Sequence, residues 1–270
     1  MGIGVGLGYR SEIGKEINKY KSQIDWLEFI PDLYINMGGK FQEILSLSND
    51  FPLCPHSLNM SLCSESGANS TYVQEIEKMA SMVNSPWVSD HLCFTNAHDK
   101  ELPLLTPMER SEETLEKTIE NISYVKQQIH RPFICENITY YFDIPSSTMT
   151  EHEFLNEVLR KADCGLLLDI TNVFINAMNH KYDPYKFLDS ILLDRVVEIH
   201  ISGGYEVNGK WYDSHSKRVN KEVWNLLDYV INKTSTQGIL LEIDADYPEN
   251  FKVLIDELEI ARSIFKARVK

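Results

Sequence analysis

The chain has 270 residues, of which 43% are hydrophobic and 24% are charged, a composition typical of a globular protein with a sizeable core. Its 26 Lys and Arg residues against 40 Asp and Glu residues give a formal net charge of −14. This balance argues against binding to long stretches of nucleic acid, because phosphates are neutralised by a basic surface. The sequence has neither an apolar run long enough to cross a membrane nor a signal-peptide pattern. We therefore expect a cytoplasmic protein that binds neither nucleic acid nor membrane.

No linker rich in Pro, Gly, Ser or charge interrupts the chain, which favours a single domain over residues 1–270. The cysteines are odd in number, form no C-x-x-C pair and mostly lie within apolar runs, as reduced core cysteines do. They are Cys54, Cys63, Cys93, Cys135 and Cys164.

Short apolar runs alternate with longer amphipathic runs from end to end, a pattern typical of repeated βα units. The eight predicted strands are Ile3–Leu7, Trp26–Ile30, Phe51–Pro55, Trp87–Ser89, Phe133–Cys135, Gly165–Leu168, Val196–Ile201 and Ile239–Ile243. The eight predicted helices are Glu12–Lys21, Phe41–Leu47, Tyr72–Val83, Glu112–Gln128, Glu151–Lys161, Pro184–Leu192, Val219–Val230 and Asn250–Arg268. Short apolar strands that are each followed by a helix predict a (β/α)8 TIM barrel, whose parallel strands are buried on both faces.

An open doubly wound sheet is the main alternative fold. The stretch Gly4-Val-Gly-Leu-Gly8, with Glu28 about twenty residues further on, resembles a dinucleotide-binding fingerprint. The match is poor because the third glycine comes one position early and few residues precede the first. We favour glycines that form a tight first βα turn, and we expect no nucleotide cofactor.

The ends of the predicted strands carry the residues that matter for function, since the active site of a TIM barrel lies at the C-terminal ends of its strands. Seven of the eight strands end in His, Asp or Glu, namely Glu28, His56, Asp90 with His91, Glu136, Asp169, His200 and Glu242 with Asp244. Any one of them could cap a helix or bond a loop, but together they place much negative charge on one rim, which requires cations or shifted pKa values. Imidazole and carboxylate ligands without thiolates favour Fe, Mn or Zn. The sequence therefore predicts a multinuclear metal site.

Two loops add further candidates. Asp213 and His215 follow the seventh strand, and their spacing places both side chains on one side of an extended chain, where they would bind a third metal. After the sixth strand, Asn172 could donate an amide oxygen, whereas His180 stays open between a ligand, a partner of a ligand and a plain loop residue. Three histidines lie away from the strand ends and are expected at the surface: His98, His130 and His152.

Seven short motifs, taken in order, resemble those of a known family. They are Pro55-His56-Ser57, Ser89-Asp90-His91, Glu136-Asn137, Leu168-Asp169-Ile170-Thr171-Asn172 with Asn179-His180, Glu198-Ile199-His200 with Gly203-Gly204, Asp213-Ser214-His215, and Leu241-Glu242-Ile243-Asp244. The set spans nearly the whole chain and is similar to the multinuclear non-haem iron-dependent oxidative enzymes (DUF692 or UPF0276), which include the iron subunit of methanobactin biosynthesis. The stretch from Asp169 to Asn172 departs from the many members that have two adjacent asparagines there.

This resemblance implies a TIM barrel that holds two or three iron ions, as mixed Fe(II)/Fe(III), and uses O₂ as co-substrate. For the ligands it implies His56 and His91 at one iron, Glu136 as the bridge, Asp169, His200 and Glu242 at a second iron, and Asn172, Asp213, His215 and Asp244 at a third, weakly occupied one. Glu136, Asp169 and His200 would be the catalytic residues.

The implied substrate is a ribosomally made precursor peptide, oxidised most often at a cysteine. The product would be of the oxazolone and thioamide type or the thiooxazole type. A small partner protein that recognises the leader of the peptide is implied as well.

Two other classes of function stay open. Metal-dependent hydrolases and isomerases of the xylose-isomerase-like barrels, including zinc endonucleases of the endonuclease IV type, also gather His, Asp and Glu at strand ends. The acidic charge argues against an endonuclease, and the absence of a strand-end Lys argues against a sugar isomerase. A barrel that only stores metal is the least favoured class, since burying so many polar residues costs stability.

Overall fold

The structure of the protein is a computed structural model that describes residues 2–35, 38–97 and 100–268. The strands are β1 (Gly4–Gly8), β2 (Trp26–Phe29), β3 (Leu53–Ser57), β4 (Val88–His91), β5 (Phe94–Ala97), β6 (Lys100–Thr106), β7 (Phe133–Glu136), β8 (Gly165–Asp169), β9 (Val196–Ile201), β10 (Tyr205–Val207), β11 (Lys210–Tyr212) and β12 (Gly238–Leu241). The helices are α1 (Gly14–Lys19), α2 (Phe41–Leu47), α3 (Ser70–Met82), α4 (Glu112–Gln128), α5 (Glu151–Lys161), α6 (Ile170–His180), α7 (Pro184–Ser190), α8 (Lys221–Ile231) and α9 (Lys252–Ala267).

Eight of the strands form a closed parallel barrel in the order β1, β2, β3, β4, β7, β8, β9 and β12, and β12 pairs with β1 to close it. Helices connect successive barrel strands and cover the outside. The remaining strands form two hairpins, β5 with β6 and β10 with β11. The predicted TIM barrel is therefore confirmed, and the doubly wound alternative is wrong.

The inside of the barrel is layered, because alternate residues of a strand point to the same face. At the floor, Trp26 and Trp87 pack edge to face with ring centroids 6.0 Å apart, and they share a buried cluster with Cys54, Ile134 and Leu167. Two residues further along each strand, the same inward direction carries a polar side chain: Glu28, His56, Ser89, Glu136 and Asp169. The alternation that buries the floor thus sets a ring of polar groups above it.

The glycines of β1 make room for this floor. A Cβ on Gly6 would lie 2.4 Å from Cε2 of Trp26, and Gly4 adopts a φ of +97°, which glycine tolerates without strain. The indole of Trp26 also donates a hydrogen bond to the carbonyl of Gly4 at 3.2 Å. These glycines lie within the strand, so the expected role in a tight turn is wrong.

Side-chain caps start several helices where the sequence changes from strand to helix. Thr150 and Glu153 form a reciprocal capping box at α5, which satisfies two backbone donors that a helix start leaves open. Asp169 is both the last residue of β8 and the N-cap of α6, where it accepts from the backbone of Asn172. The five cysteines are buried and free, as expected. None of the described helices is long and apolar enough to span a bilayer.

Several predicted bounds differ from the structure by one or more residues, and the main differences concern α6, β3 and the two hairpins. The segment after Asp169 continues directly as α6 rather than as a loop, because no turn residue separates strand and helix. Strand β3 lies two residues later than predicted, since Phe51 belongs to the preceding bend. The two hairpins were not predicted, as their strands are short and lie outside the repeated βα pattern.

Candidate metal centre

Three side chains from adjacent strands form a first group at the mouth of the barrel: His56 of β3, His91 of β4 and Glu136 of β7. Oε2 of Glu136 lies 3.1 Å from Nε2 of His56 and 3.2 Å from Nε2 of His91. The hydroxyl of Ser89 contacts Nδ1 of His56 at 2.9 Å, which leaves Nε2 to face the carboxylate. All three members of the group are buried, so one cation could contact all of them.

Glu136 also belongs to a second group, with Asp169 of β8 and His200 of β9. Oε1 of Glu136 lies 3.6 Å from Nδ1 of His200, so the two oxygens of one carboxylate face two different groups. Glu242, which follows β12, approaches the same nitrogen through Oε2 at 3.4 Å. A carboxylate in this position can bridge two metal ions, as in two-metal enzyme sites.

A third group consists of Asp169, His215 and Glu242. Oε1 of Glu242 lies 3.5 Å from Nδ1 of His215. Two further carboxylates hold the imidazole from either side: Asp213 lies 2.8 Å from Nε2 and Asp244 lies 3.0 Å from Nδ1. Since Glu136 links the first two groups and Asp169 links the last two, the three groups form a continuous chain across the mouth of the barrel.

Below the second group, two buried carboxylates hold the other face of His200. Its Nε2 lies 3.3 Å from both Glu28 and Glu198, and Trp87 of the floor donates to Glu198 at 2.7 Å. Contacts of this kind fix the ring so that Nδ1 faces the second group. Burial alone would lower the pKa of His200, but Glu28 and Glu136 outweigh it and hold that pKa well above its usual value. Burial, reinforced by Glu198, raises the pKa of Glu28 to about 8.

From the sequence, Glu28 was expected only as one of the strand-end residues and Glu198 only as part of a motif; neither was assigned as a metal ligand. In the structure, Glu28 lies one residue before the end of β2, at the level of the other inward-facing polar residues. Glu198 lies two residues before His200, which by strand periodicity places both side chains inside the barrel.

Two further candidates, Asn172 and His180, lie on α6, and other parts of the protein hold both side chains. Asn172 accepts a hydrogen bond from the hydroxyl of Thr139 and donates to the carbonyl of Asn137 at 3.0 Å, so both ends of its amide are engaged. His180, the last residue of α6, has Nε2 3.0 Å from the carbonyl of Tyr140 and is a structural partner of that segment. Of the three predicted surface histidines, His130 is exposed, His152 is half-buried on α5 and His98 lies outside the described residues.

Arg10 also belongs to this site, and the sequence did not lead us to expect it there. It follows β1, the one strand that ends without His, Asp or Glu, and it is only 8% exposed. Its Nη2 donates to Asp244 and lies 3.7 Å from Oε1 of Glu242. Its position in the sequence could have indicated this role, because Arg10 is a cation two residues past a barrel strand, on a rim otherwise rich in carboxylates.

When no cation is bound, the first group combines neutral imidazoles with a protonated carboxyl, whereas His200 of the second group keeps its proton. Burial lowers the pKa of His91 to about 4 and that of His56 well below its usual range. Burial likewise raises the pKa of Asp169 to about 7 and that of Glu136 well above its usual value. A cation bound here would replace these protons and stabilise the carboxylates.

The residues fit metal ions. Despite the short contacts described above, Glu136 Oε2, Asp169 Oδ2 and His200 Nδ1 make no hydrogen bond of acceptable geometry. Buried polar atoms without partners are costly, and a divalent cation would satisfy several of them at once. Donor sets of imidazole and carboxylate suit iron, manganese and zinc.

A cleft of about 620 Å³ opens onto the groups from outside. Its polar side includes His56, His91, His215, Glu242 and Asp244, and its apolar side includes Leu58 and three leucines of β6: Leu102, Leu104 and Leu105. Leu104 is 73% exposed. The cleft therefore offers an apolar wall beside the candidate ligands.

Known proteins resemble this chain over nearly its whole length. A UPF0276 protein of Acaryochloris marina is 32% identical over 258 residues, which cover 96% of this chain and 93% of the relative. A UPF0276 protein of Caulobacter vibrioides is 31% identical over 275 residues, which cover 98% of this chain and 95% of the relative.

Solved structures share the fold at low sequence identity. D-psicose 3-epimerase from Clostridium cellulolyticum H10 superposes with a TM-score of 0.64 at 10% identity, covering 99% of both chains. The IOLI protein with a bound zinc atom gives a TM-score of 0.65 at 10% identity, covering 100% of both chains. Residues 4–266 match the model of the family described as the RiPP precursor modification enzyme MbnB/TglH/ChrH, where RiPP denotes a ribosomally synthesised and post-translationally modified peptide. The chain therefore belongs to the MbnB/TglH/ChrH family of RiPP precursor modification enzymes.

Proposed function

We propose that the protein uses two or three iron ions and dioxygen to oxidise a cysteine of a ribosomally made precursor peptide. The observation that carries this proposal is the shared carboxylate of Glu136. One of its oxygens lies within 3.2 Å of the two imidazoles of the first group, and the other faces Nδ1 of His200 in the second group. A bridging carboxylate between two His-containing groups suits a pair of metal ions that act on one substrate.

The choice of iron follows from the donor set and the family together. None of the protein's five cysteines belongs to the described groups that could hold a metal, so the ligands are imidazoles and carboxylates, which suit iron. Bound iron would supply the redox chemistry with dioxygen that a peptide oxidation needs.

The residues of the chain orient the metal ligands and keep water away. Ser89 fixes the ring of His56, and the pair of Glu28 and Glu198 fixes the ring of His200. Both rings are buried, with exposures of 2% and 0%, which limits hydrolytic side reactions. Glu136, Asp169 and His200 form the proposed catalytic core of the site.

A cysteine suits the substrate position because a thiolate supplies a soft donor that the protein's own groups lack. The cleft leads directly to His56 and His91, so a peptide side chain can reach the first group from solvent. The apolar wall of Leu102, Leu104 and Leu105 would contact the flanking peptide. We further propose a small partner protein that holds the leader of the peptide while the modified residue enters this cleft.

Metal analysis of protein purified without oxygen from iron-supplemented cells tests the proposal, together with Mössbauer spectroscopy. We expect at least two irons per chain, coupled to each other. The variant Glu136→Gln should retain less than about half of this iron, because it removes the ligand shared by two groups. Glu151→Gln is the matched control, since Glu151 bonds Tyr140 at 3.0 Å and lies in none of the groups.

Two results would contradict the proposal. Stoichiometric zinc or manganese without functional iron would favour hydrolase or isomerase chemistry, the class of reaction named for the epimerases that share this fold. Unchanged iron in the Glu136→Gln variant would mean that the proposed bridge is not a ligand.

A further inference from the structure

Arg10 places a permanent positive charge beside the third group. Its side chain is 9% exposed, and its Nη1 donates to the carbonyl of Tyr9 at 2.9 Å, which anchors the guanidinium. Through Nη2 it donates to Asp244. An arginine does not lose its proton in a protein, so this charge is present whether or not a metal is bound.

The same guanidinium competes for an oxygen of the third group. Oε2 of Glu242 faces His200 of the second group at 3.4 Å, and Oε1 faces His215 of the third group at 3.5 Å. Arg10 Nη2 lies 3.7 Å from that Oε1. A metal in the third group would therefore share its carboxylate with a cation and be repelled by it. Solvent screens this repulsion little at Arg10 and Glu242, whose side chains are 9% and 7% exposed.

We propose that Arg10 is a built-in cation that lowers the affinity of the third group for a metal ion by at least about tenfold, compared with the same group without this charge. The proposal rests on the metal centre proposed above and makes it more specific. In this proposal, Asp244 is a hydrogen-bond partner of Arg10 and His215 rather than a metal ligand. The direct ligands of the third group are then Asp169, His215 and Glu242.

The test is a metal titration of three purified proteins under anaerobic conditions: the wild type, Arg10→Gln and Arg10→Lys. Fe(II) retained after desalting is counted by mass spectrometry, and Mn(II) affinity is measured by electron paramagnetic resonance. We expect the wild type to retain two ions, and Arg10→Gln to bind the third ion at least about tenfold more tightly. Arg10→Lys keeps the charge and should bind the third ion as weakly as the wild type.

A second measurement uses only the wild type and so does not depend on how the variants fold. Anomalous diffraction from crystals loaded with Mn(II) should show lower occupancy in the third group than in the other two, with Asp244 still bonded to Arg10. If Asp244 has left Arg10 and binds the metal, the proposal is wrong. The proposal is also wrong if Arg10→Gln weakens the binding of the third ion, since Arg10 would then orient a ligand. It is wrong as well if the affinity for the third ion stays unchanged, since Arg10 would then have no effect on that affinity.

These outcomes separate this proposal from the proposed function. A wild type that retains no metal in the first and second groups would overturn the metal centre itself. A wild type with two tight ions and no response to Arg10→Gln would overturn only the role of Arg10.

Discussion

We expect the metal-free protein to lose stability as the pH rises from about 6.5 to about 8. Burial, reinforced by Glu198, raises the pKa of Glu28 from 4.5 to about 8, so the native state holds a proton that the unfolded chain has released. The titration of His200 also lowers the stability of the protein as the pH rises. Burial lowers its pKa, but Glu28 and Glu136 outweigh this and raise it well above 6.5, so its stabilising contribution is present below 6.5 and is lost as the pH rises through its native pKa.

Two histidines change the stability in the opposite direction, but only below pH 6.5. Burial lowers the pKa values of His56 and His91, so these residues gain stability with rising pH only up to the unfolded value of 6.5. Above that pH, Glu28 and His200 together hold one to two protons more than they do in the unfolded chain, and Glu136, whose pKa burial also raises, acts in the same direction. Each such proton corresponds to about 1.4 kcal/mol per pH unit. Over 1.5 pH units, Glu28 and His200 alone should lower the free energy of unfolding by about 2 to 4 kcal/mol, which is a large part of the stability of a typical domain.

Urea unfolding of chelator-treated protein, followed by fluorescence of the 4 tryptophans, measures this change. The same protein loaded with Mn(II) is the control, because bound metal replaces the protons and binds more tightly as the pH rises. We expect the loaded protein to lose no stability over this range. A metal-free protein whose stability stays level or rises with pH would refute the reasoning, since its buried carboxyls would then be ionised in the native state.

Two further predictions concern the floor of the barrel, both measured by urea unfolding. Gly6→Ala should destabilise the protein by about 1–3 kcal/mol or more, because the added Cβ would lie 2.4 Å from Trp26. The control is Gly39→Ala, which should be close to neutral because nothing lies within 4 Å of its Cβ. Equal effects of the two substitutions would contradict the packing argument. Trp87→Phe should destabilise the protein by at least about 2 kcal/mol, because the substitution removes the 2.7 Å hydrogen bond from Trp87 to Glu198 inside the barrel. A change in stability near zero would mean that the carboxyl of Glu198 does not depend on the indole as a hydrogen-bond donor.

The barrel and most of the candidate site were predictable because both follow from local periodicity. The predicted bounds of α2, α4 and α5 agree with the structure. Helices α4 and α5 are long amphipathic segments with a side-chain cap at the start, whereas α2 is a short segment without one. The strand ends were informative as well, because inward-facing residues at the C-terminal ends of barrel strands meet at the mouth of the barrel. This is why His56, His91 and Glu136 could be assigned to one site before any distance was known. Asp90 is the exception, since it accepts hydrogen bonds from Ser57 and from the backbone of Met60 instead.

Other features depend on contacts between distant segments, or on signals that the βα pattern conceals. Asn208 and Gly209 between β10 and β11 both have positive φ, as in a tight two-residue hairpin turn, so this hairpin had a readable sequence signal. Helix α6 had a weaker one, because it is apolar on most sides and begins inside a strand-end motif. The amide oxygen of Asn172 accepts a hydrogen bond from Thr139, 33 residues away, and sequence periodicity does not reveal such a contact.

Arg10 illustrates what a search for ligands overlooks. A rim that collects carboxylates from most of its strands also needs positive charge, and the strand without an acidic or His end is the natural place for it. The pairing of Arg10 with Asp244 joins the two ends of the chain across the β1–β12 closure of the barrel. In the arrangement proposed above, this contact also places a positive charge beside the third group, so that the metal affinity of that group would depend on Arg10 as well as on the ligands themselves.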